Sequence, residues 1–180
     1  MKEVRSIGQG VEFLNRYLSS SVFGENGKHF FQYLKLHEYK GVPLLINRGV
    51  ENVDNLRGSL RKAVKYLEKI PGDTHWREFI DDMPSKDFEP GWGRTAEQVK
   101  GMMEQLLEII EAPDPQNLAE FLGKIPMIQD LVILSPHGYF GQSGVLGLPD
   151  TGGQVVYILD QVRALEKQIC QDLCEQGLDI

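Results

Sequence analysis

The residues best suited to chemistry lie in two short segments near the end of the chain. Residues 135–139 read Ser-Pro-His-Gly-Tyr and contain His137, and a glycine-rich loop separates them from Asp150-Thr151-Gly152-Gly153-Gln154. A helix that starts at a glycine pair presents free backbone amides and about half a unit of positive charge. Without side chains, the glycines let a phosphate approach those amides. The segment therefore predicts an anion site, although a glycine pair at a helix start is by itself more often a tight turn.

A strand and a helix must position this segment. Residues 131–134 form a continuous apolar run, Leu-Val-Ile-Leu, which is typical of a strand buried on both faces. From Gly153 onward apolar residues recur at steps of three and four, and Gly177 is placed to end the helix they form: Val155, Ile158, Val162, Leu165, Ile169 and Leu173. Strand, loop and helix make one βα unit of a parallel sheet, and ligands bind such sheets at the carboxyl ends of the strands.

The rest of the chain reads as helices. Apolar spacing predicts helices over 7–18, over 28–38 and from Asn52 to the stop signal at 71–72, and a short helical piece around Trp76. Thr95 and Gln98 have the spacing of a capping box, and the helix behind them closes at Pro113. Asp114-Pro115 opens a further short helix to Gly123. The apolar run at 44–46 is of uncertain type.

We therefore predict a mostly α-helical domain over residues 1–127, followed at 128–180 by the first βα unit of an α/β domain. One strand and one helix cannot bury their own apolar faces, so we expect the remainder of the second domain to lie beyond Ile180.

Composition excludes several classes of protein. The net charge is −7 and basic residues are not clustered, which argues against a nucleic-acid partner. No apolar run is long enough for a transmembrane segment, and residues 1–5 do not begin a signal peptide. A cytoplasmic location is the default expectation.

Known cofactor and metal motifs do not match. No Gly-Lys-Ser/Thr of a Walker loop and no GxGxxG fingerprint follows the apolar run. His37-Glu38 begins like a zinc HExxH motif, but Gly41 stands where the second histidine is needed. Cys170 and Cys174 lack the spacing of a zinc pair, so we expect neither metal nor cofactor.

Two longer runs carry a resemblance to a known family. Residues 135–140 and 148–161 resemble the start of the glycosyltransferase region of sucrose synthase. Residues 11–16, 91–93, 106–114 and 121–127 are similar to the helical domain that precedes the catalytic part in that family. The resemblance covers almost the whole chain and implies an internal fragment of a longer enzyme, one that is inactive by itself.

The resemblance implies a function. Sucrose synthases transfer glucose reversibly between sucrose and UDP or ADP, giving NDP-glucose and fructose, with retention of the anomeric configuration. Their fold is GT-B, two Rossmann-like halves with the active site between them. They need no metal to bind the diphosphate, and their helical domain helps to assemble a homotetramer.

The resemblance also implies roles for residues. Gly152, Gly153 and Gln154 match the segment that approaches the diphosphate and the transferred sugar. His137, assigned a catalytic role, matches a position beside the fructose subsite, with a purely structural role in its loop as the alternative. Asp150 and Thr151 match possible loop contacts or residues that only shape the turn.

Some expected residues lie elsewhere or differ. Positively charged residues that clamp the diphosphate belong to the C-terminal half in this family and are absent from residues 1–180. Pro90 and Arg94 depart from the family's usual residues, but both lie in the helical domain.

Two alternatives remain at this point. Sucrose-phosphate synthase also carries an Asp-Thr-Gly-Gly-Gln run, but it lacks the helical preamble and differs around Ser135–Tyr139. A stand-alone helical oligomerisation module, with residues 128–180 as a remnant, is a different class. We also expect the 180-residue polypeptide to bind nucleotide weakly and to be poorly soluble, because the strand at 131–134 would expose unpaired edges.

Overall fold

The computed structural model describes residues 17, 27–83, 87–125, 127, 131–134 and 153–178. Helices dominate these ranges: α1 (27–34), α2 (Val53–Leu67), α3 (Ala96–Glu111), α4 (Pro115–Lys124) and α5 (Gly153–Glu175). A two-stranded antiparallel hairpin follows α1, with β1 (Glu38–Tyr39) and β2 (Val42–Pro43). Two 3-10 turns, Trp76–Glu78 and Ile80–Asp82, lie between α2 and α3. The mostly helical character predicted for the chain is confirmed.

Helix α1 ends at residue 34, earlier than the pattern over 28–38 predicts. Its last carbonyls meet the side chain of His37, whose Nδ1 lies 3.0 Å from the oxygen of Tyr33 and 3.3 Å from that of Leu34. Because a carbonyl only accepts, Nδ1 donates there and satisfies groups that a helix end leaves unpaired. The chain then turns back through Lys40 and Gly41, both with positive φ (50° and 81°), as a two-residue hairpin loop with this twist requires.

Helices α2, α3 and α4 begin where their capping residues predict. The side chains of Asn52, Thr95 and Asp114 each accept from the backbone amide three residues on. In α3 the capping box is complete, since Gln98 Oε1 accepts in return from the amide of Thr95 at 3.2 Å. The helix predicted over 7–18 lies outside the described residues except for Tyr17, which is helical.

The core forms where the apolar faces of α2, α3 and α4 meet. Leu60, Met103 and Phe121 are fully buried there, and Phe30 of α1 packs edge-on against Phe121 with ring centroids 6.2 Å apart. The run at 44–46, whose type the sequence leaves open, is also buried and is neither helix nor regular strand. Ile46 forms an isolated bridge with Phe88, so this run lines one side of the core.

The strand predicted at 131–134 is not observed among the described residues, so this part of the fold prediction is not confirmed. Leu131, Val132, Ile133 and Leu134 are 53%, 79%, 43% and 88% exposed and form no ladder. A parallel strand exists only through hydrogen bonds to neighbouring strands, and the described residues contain no neighbour for this run. The helix predicted from Gly153 is confirmed, whereas the complete βα unit is not.

No helix in the described part of the chain combines the length and the apolar character that crossing a membrane requires.

Candidate functional site

The predicted site residues divide into two groups. Gly153 and Gln154 open α5, so the helix starts at the glycine pair as predicted. His137, Asp150, Thr151 and Gly152 lie outside the described residues. The described part of the candidate site is therefore the start of α5, and the roles of all six residues stay predictions.

The start of α5 is electrostatically suited to an anion. Its first turn contains no acidic residue that would compensate the partial positive charge of the helix end. The first described side chain, Val155, is 2% exposed, so this end of the helix is packed rather than frayed into solvent. A helix start of this kind can offer its backbone amides to a phosphate without a bound metal.

The middle of α5 is open along one face. Leu165 is 42% exposed, and Ile158 and Val162 are only partly buried, although all three belong to the predicted apolar stripe. The other faces carry charged and polar residues together with exposed apolar ones such as Tyr157, and Arg163 pairs with Asp160 at 3.3 Å. The predicted apolar stripe is therefore buried at its two ends, at Val155 and at Leu173, and more exposed between them.

The far end of α5 is fixed to the helical part of the chain. Leu173 and Leu178 are 3% and 5% exposed and belong to the same core as α2, α3 and α4. The amide of Leu178 donates to the oxygen of Leu173 at 2.9 Å, and Gly177 has a φ of 80°. This is the left-handed glycine ending that the sequence predicts for the helix.

A loop before α3 receives this end of α5. The amide of Gly93 donates to the oxygen of Gln176 at 3.1 Å. A Cβ built on Gly177 would lie 2.3 Å from the oxygen of Gly93 and 3.2 Å from Trp76 Cδ1. Only glycine fits at position 177, because both its backbone conformation and its distance from the loop exclude a side chain.

Hydrogen bonds and aromatic packing hold the loop before α3 in place. Trp92 is 3% exposed, its Nε1 donates to the oxygen of Leu45 at 2.8 Å, and its ring packs edge-on against Phe88. Gln98 Oε1 accepts from the amide of Arg94 at 2.9 Å. The loop that contacts α5 is thus anchored in the core on one side and in the α3 cap on the other.

From the sequence, Gly177 was identified as a helix end and Gly93 as part of a run similar to the family's helical domain, but the contact between the two residues was missed. Gly91-Trp92-Gly93 was the available signal, since paired glycines around a buried aromatic residue indicate close backbone approach. The local sequence pattern does not predict which segment of the chain contacts such a loop.

Other candidate positions have structural roles. His37 ends α1, and the residues after it form a hairpin rather than the helix that a zinc HExxH motif needs. His75 caps a 3-10 turn, its Nδ1 accepting from the amide of Arg77 at 3.4 Å. Within the described ranges, no group of three metal-ligating side chains is positioned to hold an ion.

Comparison with known proteins gives the same assignment in both parts of the chain. Residues 9–94 match the family model described as the sucrose synthase EPBD domain, and residues 116–180 match that of the sucrose synthase first GT-B domain.

Individual relatives agree over nearly the full chain. It is 54% identical over 178 residues to sucrose synthase isoform 1 of Daucus carota and 52% identical over 178 residues to sucrose synthase 1 of Zea mays, 98% of the chain in both cases. A sucrose synthase of Beta vulgaris is 51% identical over 177 residues, or 97% of the chain. The chain spans only 22–23% of the length of these relatives.

Proposed function

Since this chain belongs to the sucrose synthase family, we propose that it forms part of an enzyme that transfers glucose reversibly between sucrose and a nucleoside diphosphate. The observation that carries the proposal is the identity of 54% over 98% of the chain, which includes both the helical part and the start of the GT-B part. The match of residues 9–94 to the sucrose synthase EPBD domain model supports this family over the alternative of a sucrose-phosphate synthase.

In the proposed reaction, a phosphate oxygen of UDP or ADP forms the new bond to the anomeric carbon of glucose. The bond between that carbon and the fructose oxygen breaks, and the fructose oxygen takes up a proton. The products are NDP-glucose and fructose, and the anomeric configuration is retained.

The start of α5 supports the diphosphate side of this proposal. We assign the amides of Gly152, Gly153 and Gln154 to the diphosphate and the transferred sugar. The first turn of α5 carries no acidic residue, which favours the negative charge of the nucleotide. The charge that develops on the diphosphate as NDP-glucose is converted back to sucrose is stabilised by the same amides.

His137 is assigned to the fructose side of the cleft, where an imidazole can donate to or accept from a sugar hydroxyl. Asp150 and Thr151 are assigned to the loop that leads into the helix. Neither assignment requires a metal or a cofactor, and the substrates are sucrose, fructose, UDP or ADP, and their glucose conjugates.

The wider assignments follow from the family. We propose a homotetramer assembled through the helical part, a cytoplasmic location and no nucleic-acid partner. The net charge of −7 supports the last of these, because phosphate backbones select basic surfaces.

The direct test incubates the full-length gene product with sucrose and either UDP or ADP. Chromatography should show fructose and NDP-glucose in equal amounts, and reactions without nucleotide should show neither. The relative rates with UDP and ADP report the nucleotide preference, and NMR of the sugar nucleotide reports the anomeric configuration.

Two other results would replace the proposal. Synthesis from UDP-glucose and fructose 6-phosphate, without sucrose cleavage, would assign the protein as a sucrose-phosphate synthase. A stable oligomer with neither activity would favour the helical oligomerisation module.

A further inference from the structure

The contact between Gly93 and Gly177 has a mechanical consequence for α5. The helix runs 23 residues from Gly153 to Glu175, or about 35 Å at a rise of 1.5 Å per residue. Its last turns pack into the core of the helical part, whereas the exposure of Leu165 shows that its middle is largely free on that face. Val155 is buried at the other end of the helix, but only the last turns belong to the core of the helical part, so the direction of α5 relative to that core is set where the helix ends.

At that end a contact between two backbones adds to the packing of Leu173 and Leu178 in the core. The amide of Gly93 bonds to the oxygen of Gln176, and the Gly177 Cα approaches so closely that an added Cβ would lie 2.3 Å from the Gly93 oxygen. Gly93 also lies close to the start of α3, since an added Cβ there would lie 2.8 Å from Gln98 Cβ, and it follows Trp92, which is buried in the core. Two backbones in direct contact define an angle more tightly than flexible side chains do.

We propose that Gly93 and Gly177 are positioning residues, which hold α5 at the angle that places its start against the nucleotide diphosphate. This inference rests on the proposed function. A tilt of about 2° at Gly177 moves a point about 35 Å away by about 1 Å. Misplacement on that scale can lower a rate by about a hundredfold.

Two glycines with nearly equal positive φ angles make a matched test. Gly41 has a φ of 81° and Gly177 a φ of 80°, but nothing lies within 4 Å of a Cβ at Gly41. Gly41→Ala therefore introduces only the strain of a non-glycine residue at positive φ. Gly177→Ala introduces that strain and, in addition, a steric clash between the new Cβ and the oxygen of Gly93. The difference between the two variants isolates the contact.

The experiment measures steady-state sucrose cleavage by the full-length gene product and both variants, well below their unfolding temperatures. We expect Gly177→Ala to raise the KM for UDP or ADP by about tenfold or more, and Gly41→Ala to leave it within about twofold. The KM for sucrose should stay nearly constant in both. A purely structural role would lower only the amount of active enzyme, and so kcat, without changing KM.

A second pair covers the case in which Gly177→Ala does not fold. Leu178→Ala removes a 5% exposed side chain next to the contact, and Leu118→Ala removes a 7% exposed one from α4 in the same core. Both variants create a cavity of the same chemistry, but only the first loosens the end of α5. We expect the nucleotide KM to rise in Leu178→Ala and not in Leu118→Ala.

The outcomes separate the two proposals. An active wild type whose variants all keep the wild-type nucleotide KM would overturn the positioning role and leave the proposed function intact. A well-folded wild type that does not cleave sucrose with either nucleotide would overturn the proposed function and this inference with it.

Discussion

Leu45 is a fully buried leucine with a φ of 63°, a left-handed conformation that costs a non-glycine residue about 1–2 kcal/mol. Its amide donates to the oxygen of Pro90 at 2.9 Å. Its own oxygen accepts from the amide of Glu89 at 3.0 Å and from Trp92 Nε1 at 2.8 Å. These bonds and the burial of the side chain offset the strain and tie the 44–46 run to the loop before α3.

The indole bond of Trp92 is therefore expected to matter for stability. Trp92→Phe keeps an aromatic ring in the core but removes one of the two donors to the Leu45 oxygen and leaves a void. We expect the free energy of unfolding to fall by about 1–3 kcal/mol, from the lost hydrogen bond and the lost packing together. Urea unfolding of the 180-residue polypeptide, followed by circular dichroism, measures the change.

Trp76→Phe is the matched control, since Trp76 is only partly buried and packs beside the core. It should cost less than Trp92→Phe. Equal losses in the two variants would mean that the bond to Leu45 contributes nothing beyond the size of the ring.

Tyr33 gives the structure a pH dependence in the alkaline range. Its hydroxyl donates to Met127 Sδ at 2.6 Å, and burial raises the pKa of Tyr33 above its usual value of 10.0. The folded state thus keeps the phenol protonated where the unfolded chain has begun to lose the proton. The resulting stabilisation is complete below pH 10 and is lost as the pH rises through the raised pKa.

Absorbance of the phenolate at high pH tests this residue. The difference between the wild-type and Tyr33→Phe titrations isolates Tyr33, and its midpoint should lie above that of the same difference recorded in urea. A folded midpoint at or below the unfolded one would contradict the effect of burial.

At the scale of elements, the α3 cap shows how much a local signal can predict. Thr95 and Gln98 were predicted as a capping box from their spacing alone, and the structure confirms both reciprocal bonds. Gln98 Oε1 has a further role that the motif does not contain, because it also accepts from the amide of Arg94 at 2.9 Å. One side chain thus satisfies two amides of the loop that contacts α5.

We expect Gln98→Ala to lower the free energy of unfolding by about 1–2 kcal/mol, since two backbone amides lose their acceptor. Lys62→Ala, at an exposed position of α2, controls for the loss of a long side chain from a helix and should change stability by less than about 0.5 kcal/mol. Urea unfolding of both variants decides the matter. A loss no larger than that of Lys62→Ala would show that the bonds to Gln98 do not contribute.

The strand predicted at 131–134 is an element that local sequence signals are not sufficient to predict. Capping residues and apolar spacing are properties of neighbouring residues, and they correctly predicted the starts of α2, α3, α4 and α5. A strand depends instead on partners that are distant in sequence, and Val132 and Leu134 remain 79% and 88% exposed in the described structure. The contact between Gly93 and Gly177 was missed for the same reason, because each glycine is locally explained by its own turn.

At the scale of the whole molecule, the start of α5 is the described part of the candidate site. The other predicted site residues, from His137 to Gly152, lie outside the described residues. The start of α5 could be predicted from its glycine pair and the stripe behind it. The assignment to a nucleotide came from the resemblance, since a helix start by itself does not specify its ligand. The angle of α5 depends on tertiary contacts, and at its end Gln176 accepts from Gly93 while Leu173 and Leu178 pack into the core.

Exposed apolar surface is the second whole-molecule feature. Leu131 to Leu134 and the open face of α5 around Leu165 are uncovered in the described part of the chain. Contiguous apolar surface of this kind favours self-association. The low solubility expected for the 180-residue polypeptide remains a prediction, now supported by two exposed regions rather than by one strand edge.

The affinity of residues 1–180 for UDP follows from counting the contacts that they can offer. Each amide at a helix start contributes about 0.3–1 kcal/mol when exposed, and up to about 2 kcal/mol when partly buried. Three exposed amides give about 1–3 kcal/mol, which is less than the roughly 4 kcal/mol that a Kd of about 1 mM needs. The resemblance implies that the positive side chains that clamp the diphosphate lie outside residues 1–180.

Calorimetry with UDP should therefore give a Kd weaker than about 1 mM for the 180-residue polypeptide and a much tighter one for the full-length gene product. Circular dichroism on the same sample must show the helices, so that weak binding is not mistaken for unfolding. Micromolar binding by the short polypeptide would mean that the start of α5 and its loop hold the nucleotide without the opposite wall of the cleft. In that case α5 would supply most of the affinity for the nucleotide. The proposal that α5 mainly orients the diphosphate, while the other half of the enzyme supplies most of the affinity, would be wrong.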